Sequence, residues 1–328
     1  MKLLILTHTE IAELLPMRAC IEVMAEALTA LARGEVHQPQ RMIVRPPEAS
    51  ELLALMPVHR AGSSPIFGLK AICVFPDNPA RGLDAHQGGV LLFDGATGEP
   101  LALLNASAIT AIRTAAVSGV ATRLLARADA CELALIGAGV QARTHLAALA
   151  CVRELRRARV VSREREHAEQ FVAEMQPQCS FPVEAVASAA AAVRGADLIV
   201  TATSAHAPVL QREWIAAGAH INAVGTYSAA AREIDGATMA AASLFVDRRE
   251  AAMIEAGDYV LARAEGAITD EHIRAELGEV LTGAKQGRTS AQEITLFKSL
   301  GLAVEDLAAA EYLYNQARAQ GAGTWVEF

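Results

Sequence analysis

The chain has 328 residues, a length greater than one hydrophobic core usually supports. Because 52% of the residues are hydrophobic, the chain can fill two cores, and two soluble domains are expected. The formal net charge of −8 argues against a nucleic-acid surface, and the sequence has no basic run interleaved with aromatic residues. Polar residues interrupt the apolar start MKLLIL too early for a signal peptide or a membrane span. We therefore expect a cytoplasmic protein that binds neither nucleic acid nor membrane.

Cysteine and histidine spacing does not indicate a metal site. The five cysteines are scattered without a Cys-x-x-Cys pair, and the nine histidines show no His-Glu-x-x-His or similar ligand spacing. Buried free thiols and no bound metal are therefore expected.

The first third of the chain predicts a mixed arrangement of helices and short strands. An amphipathic helix is expected at 9–32, with Thr9 as its cap, and a long helix is expected at 107–126. Between them, the alternation of apolar and polar residues predicts strands at 41–44, 52–57, 67–74, 89–94 and 101–104.

From residue 131 onward, strands and helices alternate, which is typical of a doubly wound α/β sheet. The predicted strands are 131–136, 159–161, 183–186, 198–201, 220–224 and 243–246. A helical tail at 304–320 is expected to return to the first domain. The predicted division is therefore one domain of 1–127 with 305–328, and a second domain of 128–304.

The strand predicted at 131–136 runs directly into the glycine-rich turn IGAGVQA. Gly137 permits a sharp turn out of the strand, and Gly139 leaves room for a pyrophosphate against the backbone. The helix that follows points its free N–H groups at such a phosphate. The candidate dinucleotide-binding residues of this turn are Gly137, Gly139, Val140 and Gln141.

The end of the next strand indicates which dinucleotide is preferred. The sequence there is VVSRERE, where NAD-specific sites place an acidic residue for the ribose 2′-hydroxyl. Ser162 and Arg163 favour NADP(H), because arginine can pair with the 2′-phosphate through two hydrogen bonds. Glu164 would reach a ribose hydroxyl if the strand ended one residue later, so NAD(H) stays possible.

Three cations in the first domain are candidate substrate ligands. Arg41 and Lys70 fall on predicted strands, and Arg113 lies among apolar residues of the long helix. A buried cation needs an anion as its partner. A surface charge or a structural ion pair better explains any one of these cations alone, whereas all three together would suit a substrate carboxylate.

Longer stretches of the chain also match a known family. They include QPQRMIV around Arg41, GLKAICVFPDNP around Lys70, AITAIRTAA around Arg113, and then TATSAHAPV, INAVG, REID and EITLFKSLGLAVEDLAAA. Through these stretches the chain resembles the ornithine cyclodeaminase and mu-crystallin family over nearly its whole length. The resemblance implies a Rossmann domain that holds NAD(P), plus an α+β domain that binds substrate, forms a homodimer interface and is completed by the C-terminal helix.

The resemblance also implies roles for particular residues. Arg41, Lys70 and Arg113 would clamp the α-carboxylate of an amino or imino acid, and His86 stands where mu-crystallin-like members have a histidine near the site. The segments that line the cofactor in similar proteins contain Thr114, Thr203, Val224, Ser299 and Gly301.

One departure from the family pattern changes the expected chemistry. Ornithine cyclodeaminases carry an aspartate shortly after the INAVG strand, where this chain has Tyr227. The segment is similar instead to the reductases of cyclic imines and to mu-crystallin. An NADPH-dependent reductase of a small cyclic ketimine carboxylate is therefore expected, with Lys70 or His86 keeping the imine nitrogen protonated.

Three other functions stay open on the sequence alone. An ornithine cyclodeaminase is possible if Asp235 or Asp77 replaces the missing carboxylate. A nucleotide-gated protein that binds a small ligand without turnover would resemble mu-crystallin as a hormone carrier. A dehydrogenase of the alanine or opine type would reduce an open-chain imine.

Overall fold

The computed structural model describes residues 2–328, and at Pro79 the backbone alone. The first part of the chain comprises β1 (Lys2–Leu6), α1 (His8–Leu14), α2 (Met17–Ala32), β2 (Val36–His37), β3 (Met42–Val44), β4 (Leu52–Arg60), β5 (Ile66–Val74), β6 (His86–Asp94), β7 (Pro100–Asn105) and α3 (Ala106–Leu125). The middle part comprises β8 (Glu132–Ile136), α4 (Val140–Val152), β9 (Arg157–Val161), α5 (Arg165–Met175), β10 (Val183–Ala185), α6 (Ala189–Val193), β11 (Leu198–Thr201), β12 (His220–Ala223), α7 (Gly236–Ala241), β13 (Ala242–Val246), α8 (Arg249–Glu255), α9 (Gly257–Ala264), β14 (Ile273–Glu276), α10 (Leu277–Leu281) and β15 (Ile294–Lys298). The chain ends with α11 (Ala303–Gln320) and β16 (Thr324–Glu327).

The chain forms two compact units, one of Met1–Arg113 with Gly301–Phe328 and one of Thr114–Leu300. The boundaries expected from the sequence lie after residues 127 and 304. Both differ from those of the structure, which divides the chain after Arg113, inside α3, and after Leu300, before α11.

The first unit is built on an eight-stranded sheet in the order β16-β1-β7-β6-β5-β4-β2, with β3 also paired to β4. Only the β1–β7 pairing is parallel. Along β5, Ile66, Lys70 and Val74 lie on the buried face, since side chains alternate between the two faces of a strand. The buried face packs against α11, which also packs against α2. The predicted return of the C-terminal helix to this part of the chain is confirmed.

The predicted single helix over 9–32 is wrong in two respects. Strand β1 precedes it, and Pro16 divides the helical stretch into α1 and α2 because proline has no N–H to donate within a helix. The cap of α1 is Thr7 rather than Thr9: the Thr7 hydroxyl oxygen accepts from the Glu10 N–H, and the Glu10 carboxylate accepts from the Thr7 N–H.

The second unit contains an eight-stranded sheet that is parallel throughout, in the order β10-β9-β8-β11-β12-β15-β13-β14. This confirms the doubly wound fold. The chain leaves β8 toward β9 and β10, then returns to β11 on the other side of β8. Ligands of such sheets bind at the carboxyl ends of the strands where the order reverses. The sequence analysis missed the strands β14 and β15, although β15 lies between β12 and β13 and is buried throughout.

Helix α3 is long and apolar enough to cross a membrane by length and composition alone, but 72% of its apolar stretch is buried within the protein. All five cysteines are free; Cys20 and Cys131 are buried, and the other three are half-buried.

Candidate active site

Two cations that the sequence singled out lie side by side in the first unit. Lys70, on β5, is 3% exposed and Arg113, on α3, is 5% exposed. Both contact Asp306 of α11, whose Oδ1 atom lies 3.1 Å from Lys70 Nζ and 3.1 Å from Arg113 Nε. Arg113 Nη1 also donates to Glu305 Oε2 at 2.7 Å. Such partners are needed because an apolar interior does not solvate a charge.

Arg41 joins the same group through Gly301. Its Nη2 atom donates to the Gly301 carbonyl oxygen at 2.8 Å. Gly301 has a φ of +81°, and a Cβ at this position would lie 2.5 Å from Arg113 Nη1. The structure therefore brings together the three predicted cations, which we call the cation cluster (Arg41, Lys70 and Arg113). Gly301, expected to line the cofactor, lies in the first unit against this cluster.

Burial and neighbouring charges set the protonation states around the cation cluster. Burial lowers the pKa of Lys70 to about 8, while the Asp306 carboxylate opposes that shift. Burial disfavours an ionised Asp306, but the charges of Arg113 and Lys70 hold its pKa below the ordinary value. At neutral pH, Lys70 therefore keeps its proton and Asp306 is ionised.

His86 begins β6, the strand paired with β5. Burial lowers its pKa to about 4, and the charges of Lys70 and Arg113 add to that effect. At neutral pH its imidazole is uncharged, so it can exchange hydrogen bonds but holds no extra proton to give. Lys70 is the better source of a proton for an imine nitrogen.

The glycine-rich turn has the geometry of a phosphate site. Gly137 has a φ of +113°, and a Cβ there would lie 2.3 Å from the Ala202 carbonyl oxygen, so only glycine fits. Gly139 caps α4 without a side-chain hydrogen bond, and a Cβ added to it meets nothing within 4 Å. The first N–H groups of α4 are thus left for an anion. Val140 is exposed at this end, and Gln141 Oε1 is buried without a hydrogen-bond partner among residues 2–328. These residues fit a dinucleotide pyrophosphate.

Four predicted cofactor residues lie at the carboxyl ends of four adjacent strands, β8, β11, β12 and β15. They are Gly137, Thr203, Val224 and Ser299. The Ser299 N–H donates to the carbonyl oxygen of Ala223, the last residue of β12, at 3.1 Å. Thr114 is not among them; it lies buried in α3, at the start of the second unit.

Glu233, which the sequence analysis did not single out, connects the ends of β11 and β12. Its carboxylate accepts from the Thr203 N–H and hydroxyl, each at 2.7 Å, from the Gly225 N–H at 2.7 Å and from the Thr201 hydroxyl at 2.9 Å. Burial raises the pKa of Glu233, against the charge of Lys298 and the hydrogen bonds from Thr203. Glu233 lies within the REID stretch, which was the only sequence signal for it.

Ser162 and Arg163 directly follow β9, which is the neighbour of β8. The Arg163 side chain is 92% exposed, and its Nε atom lies 3.5 Å from Glu164 Oε1. Glu164 is the residue from which α5 starts. The arginine therefore projects into solvent at the strand end where dinucleotide-binding folds place the adenosine ribose.

Tyr227 is 43% exposed. Asp258, which contacts the neighbouring Thr226, and Asp235 both have structural partners. Asp258 accepts from the Thr226 hydroxyl, from Lys298 Nζ and from the N–H groups of Glu233 and Ile234, at 2.7 to 2.9 Å. The Asp235 carboxylate caps α7 by accepting from the Thr238 N–H at 2.8 Å. Asp77, the other proposed replacement, is exposed in a turn of the first unit.

A family model for the ornithine cyclodeaminase/mu-crystallin family matches residues 1–321. The chain belongs to this family. The resemblance read from its sequence is thereby confirmed. Within residues 2–328, no group of three or more His, Cys, Asp or Glu side chains could hold a metal ion.

Three members of known identity are similar to this chain over most of its length. The ketimine reductase mu-crystallin of Mus musculus is 40% identical over 282 residues, 86% of each chain. The Δ1-pyrroline-2-carboxylate reductase of Thermococcus litoralis, solved with NADH and L-proline, is 38% identical with a TM-score of 0.95, and the match covers 98% of this chain and 99% of that one. An archaeal alanine dehydrogenase dimer with bound NAD is 32% identical with a TM-score of 0.93, and the match covers both chains completely.

The contact between Gly301 and Arg113 predicts a specific effect of a single methyl group. Gly301→Ala should lower the free energy of unfolding, because the new Cβ would displace the Arg113 guanidinium from its buried ion pairs. Gly321→Ala is the matched control, since Gly321 also has a positive φ, of +67°, but nothing within 4 Å. Backbone strain alone costs each variant about 1 kcal/mol.

Thermal and denaturant unfolding check this prediction. Gly301→Ala should lose more stability than Gly321→Ala, which should lose only the cost of backbone strain. Equal behaviour of the two variants would show that the contact with Arg113 is unimportant.

Proposed function

We propose that this protein is an NADPH-dependent reductase of a small cyclic ketimine carboxylate, such as Δ1-pyrroline-2-carboxylate or Δ1-piperideine-2-carboxylate, and that it forms proline or pipecolate. The observation that carries the proposal is the cation cluster, which gathers two guanidinium groups and one ammonium group in a chain built like a reductase solved with NADH and L-proline. The ketimine reductase activity of its mouse relative supports the same class of substrate.

The cation cluster would bind and orient the substrate carboxylate. A guanidinium presents a planar fork of donors that matches a carboxylate, and fixing this group also fixes which face of the ring is exposed for reaction. When bound, the reduced nicotinamide supplies a hydride to the imine carbon. Lys70, charged at neutral pH, would keep the imine nitrogen protonated. The uncharged His86 would offer this protonated nitrogen a hydrogen-bond acceptor.

The residues that would hold the cofactor are those at the carboxyl ends of β8, β9, β11, β12 and β15. The pyrophosphate would lie on the turn from Gly137 to Gln141, and the nicotinamide half would lie near Thr203, Val224 and Ser299. Relatives of this fold were solved with NADH or NAD, so a nicotinamide cofactor is well supported. We further propose a preference for NADPH, supported by Arg163, which is exposed at the ribose end of the site.

Turnover with single imines tests the reductase proposal. Purified protein should oxidise NADPH in the presence of Δ1-pyrroline-2-carboxylate or its six-membered analogue and release proline or pipecolate. The same preparation should release no ammonia from L-ornithine with NAD⁺. Ammonia release without net reduction would establish a cyclodeaminase instead. Oxidation that requires pyruvate and ammonia would establish an alanine dehydrogenase, and cofactor binding without any turnover would establish a ligand-binding protein.

Cofactor preference depends on one exposed arginine in this proposal. Arg163→Ala should lower the ratio of kcat/KM for NADPH to that for NADH about tenfold, because a charge-assisted pair with the 2′-phosphate is lost. Arg165→Ala is the control, since Arg165 is exposed two residues further on and pairs with Glu169 at 2.7 Å. The ratio is measured by steady-state kinetics, and an unchanged ratio in Arg163→Ala would refute the role of Arg163.

We also propose a homodimer formed through the first unit. The face of its sheet opposite α11 is apolar. Leu69, Leu91 and Leu103 form a cross-strand row, and Phe67 lies on the same face two residues before Leu69. Phe67 is 46% exposed and Leu103 is 37% exposed. An apolar sheet face of this kind is typical of an interface. The archaeal relative was solved as a dimer. Light scattering should give twice the mass of one chain, and a single-chain mass would contradict the proposal.

A further inference from the structure

Two acidic side chains are buried beside the cation cluster, and they have no role in the function proposed above. Glu305 is 0% exposed and Asp306 is 1% exposed, and both lie in the first turn of α11. Adjacent carboxylates at such depth are unfavourable unless cations pair with them. The inference drawn from them rests on the proposed function, because it concerns which ligands the cation cluster accepts.

The geometry makes Asp306 the link between two cations. A single oxygen, Oδ1, lies 3.1 Å from Lys70 Nζ and 3.1 Å from Arg113 Nε. Its other oxygen, Oδ2, is buried without a hydrogen-bond partner among residues 2–328. Lys70 Nζ also donates to the Thr110 hydroxyl at 2.6 Å, which fixes the ammonium between α3 and α11.

The charges around the cluster nearly cancel. Arg41, Lys70 and Arg113 contribute three positive charges, and Glu305 and Asp306 contribute two negative ones, which leaves one net positive charge. Other titratable groups nearby are His86 on β6, uncharged with a pKa of about 4, and Cys20 on α2, a neutral thiol with a pKa raised to about 12 by burial. Asp84, close to His86, is exposed, so solvent screens its charge. A bound carboxylate thus neutralises the cluster, whereas three unopposed cations would repel a positively charged ring nitrogen.

We propose that Asp306, supported by Glu305, makes the cation cluster selective for ring carboxylates whose nitrogen is positively charged, such as the protonated imine and the secondary ammonium product. Asp306 is a positioning residue that acts through Lys70 and Arg113. It holds Lys70 and Arg113 together and limits the net positive charge around them. The cluster can therefore bind the carboxylate of a ligand without repelling the positively charged ring nitrogen of that ligand.

The test compares two ring carboxylates that differ in the charge of their nitrogen. L-Proline carries a secondary ammonium, and pyrrole-2-carboxylate has a nitrogen without basic character. Binding of each to the enzyme saturated with NADP⁺ is measured by calorimetry at neutral pH. Asp306→Asn keeps the shape and a carbonyl acceptor for both cations but removes the charge. It should weaken proline binding about tenfold and leave pyrrole-2-carboxylate binding unchanged or tighter.

Matched variants separate this role from a structural one. Glu311→Gln removes a charge from the same helix, where Glu311 pairs with Arg60, and should leave the ratio of the two affinities unchanged. Asp306→Glu retains the charge and should restore the wild-type ratio. If Asp306→Asn fails to fold, Glu305→Gln reports the same ratio. Equal weakening of both ligands, or no change in either, would overturn the inference.

A second readout is the pH profile of kcat/KM. The charged form of Lys70 is required, so activity should fall as pH rises through its pKa of about 8. Removal of the Asp306 charge disfavours the ammonium, so this limb should move to lower pH in Asp306→Asn. Ligand binding does not require turnover, so a wild-type enzyme that binds both ring carboxylates but reduces no imine would refute the proposed function alone. Turnover with an unchanged affinity ratio would refute this inference alone.

Discussion

Burial of Lys70 and Arg113 is possible because α11 brings two carboxylates back to them. Unpaired, each cation would lose its hydration without compensation, and the first unit would not hold them in its interior. The return of the C-terminal segment therefore does more than complete a hydrophobic core. It places Asp306 between the two cations and Gly301 against Arg113, and so it determines where the cation cluster can present donors to a ligand.

Buried carboxylates also organise the second unit, at the ends of its parallel strands. Glu233 receives four hydrogen bonds from the last residue of β11 and from the segments that follow β11 and β12, and Asp258 pairs with Lys298 at the end of β15. These carboxylates hold irregular backbone in a defined arrangement without a regular ladder of hydrogen bonds. The candidate cofactor residues Thr203 and Val224 therefore lie on segments that are rigidly held.

Several features that depend on a local sequence pattern were predicted correctly, whereas the partners of buried side chains were not. Alternation of strands and helices indicated the parallel sheet, and the turn at Gly137 and Gly139 indicated its phosphate end, because these signals lie within a few residues of one another. Arg113 attracted notice because a charge among apolar residues is unusual. Its partners Glu305 and Asp306 could not be recognised in the sequence, because acidic residues are common in the first turn of a helix and are usually exposed there. Strand β15 was missed because a short apolar run gives no periodicity that separates strand from helix.

The arrangement of acids also bears on which reaction the fold can perform. A cyclodeaminase needs a carboxylate that is free to exchange protons with water and amino groups, whereas hydride transfer to a protonated imine needs only a held substrate and one protonated neighbour. By the family resemblance, Tyr227 stands where a cyclodeaminase has its acid. Asp258 is engaged by a lysine and two backbone N–H groups, and Asp235 caps a helix. Asp258 and Asp235 would each have to give up a structural contact before accepting a proton from a substrate. These two carboxylates therefore serve structural roles, and this arrangement favours a reductase over a cyclodeaminase.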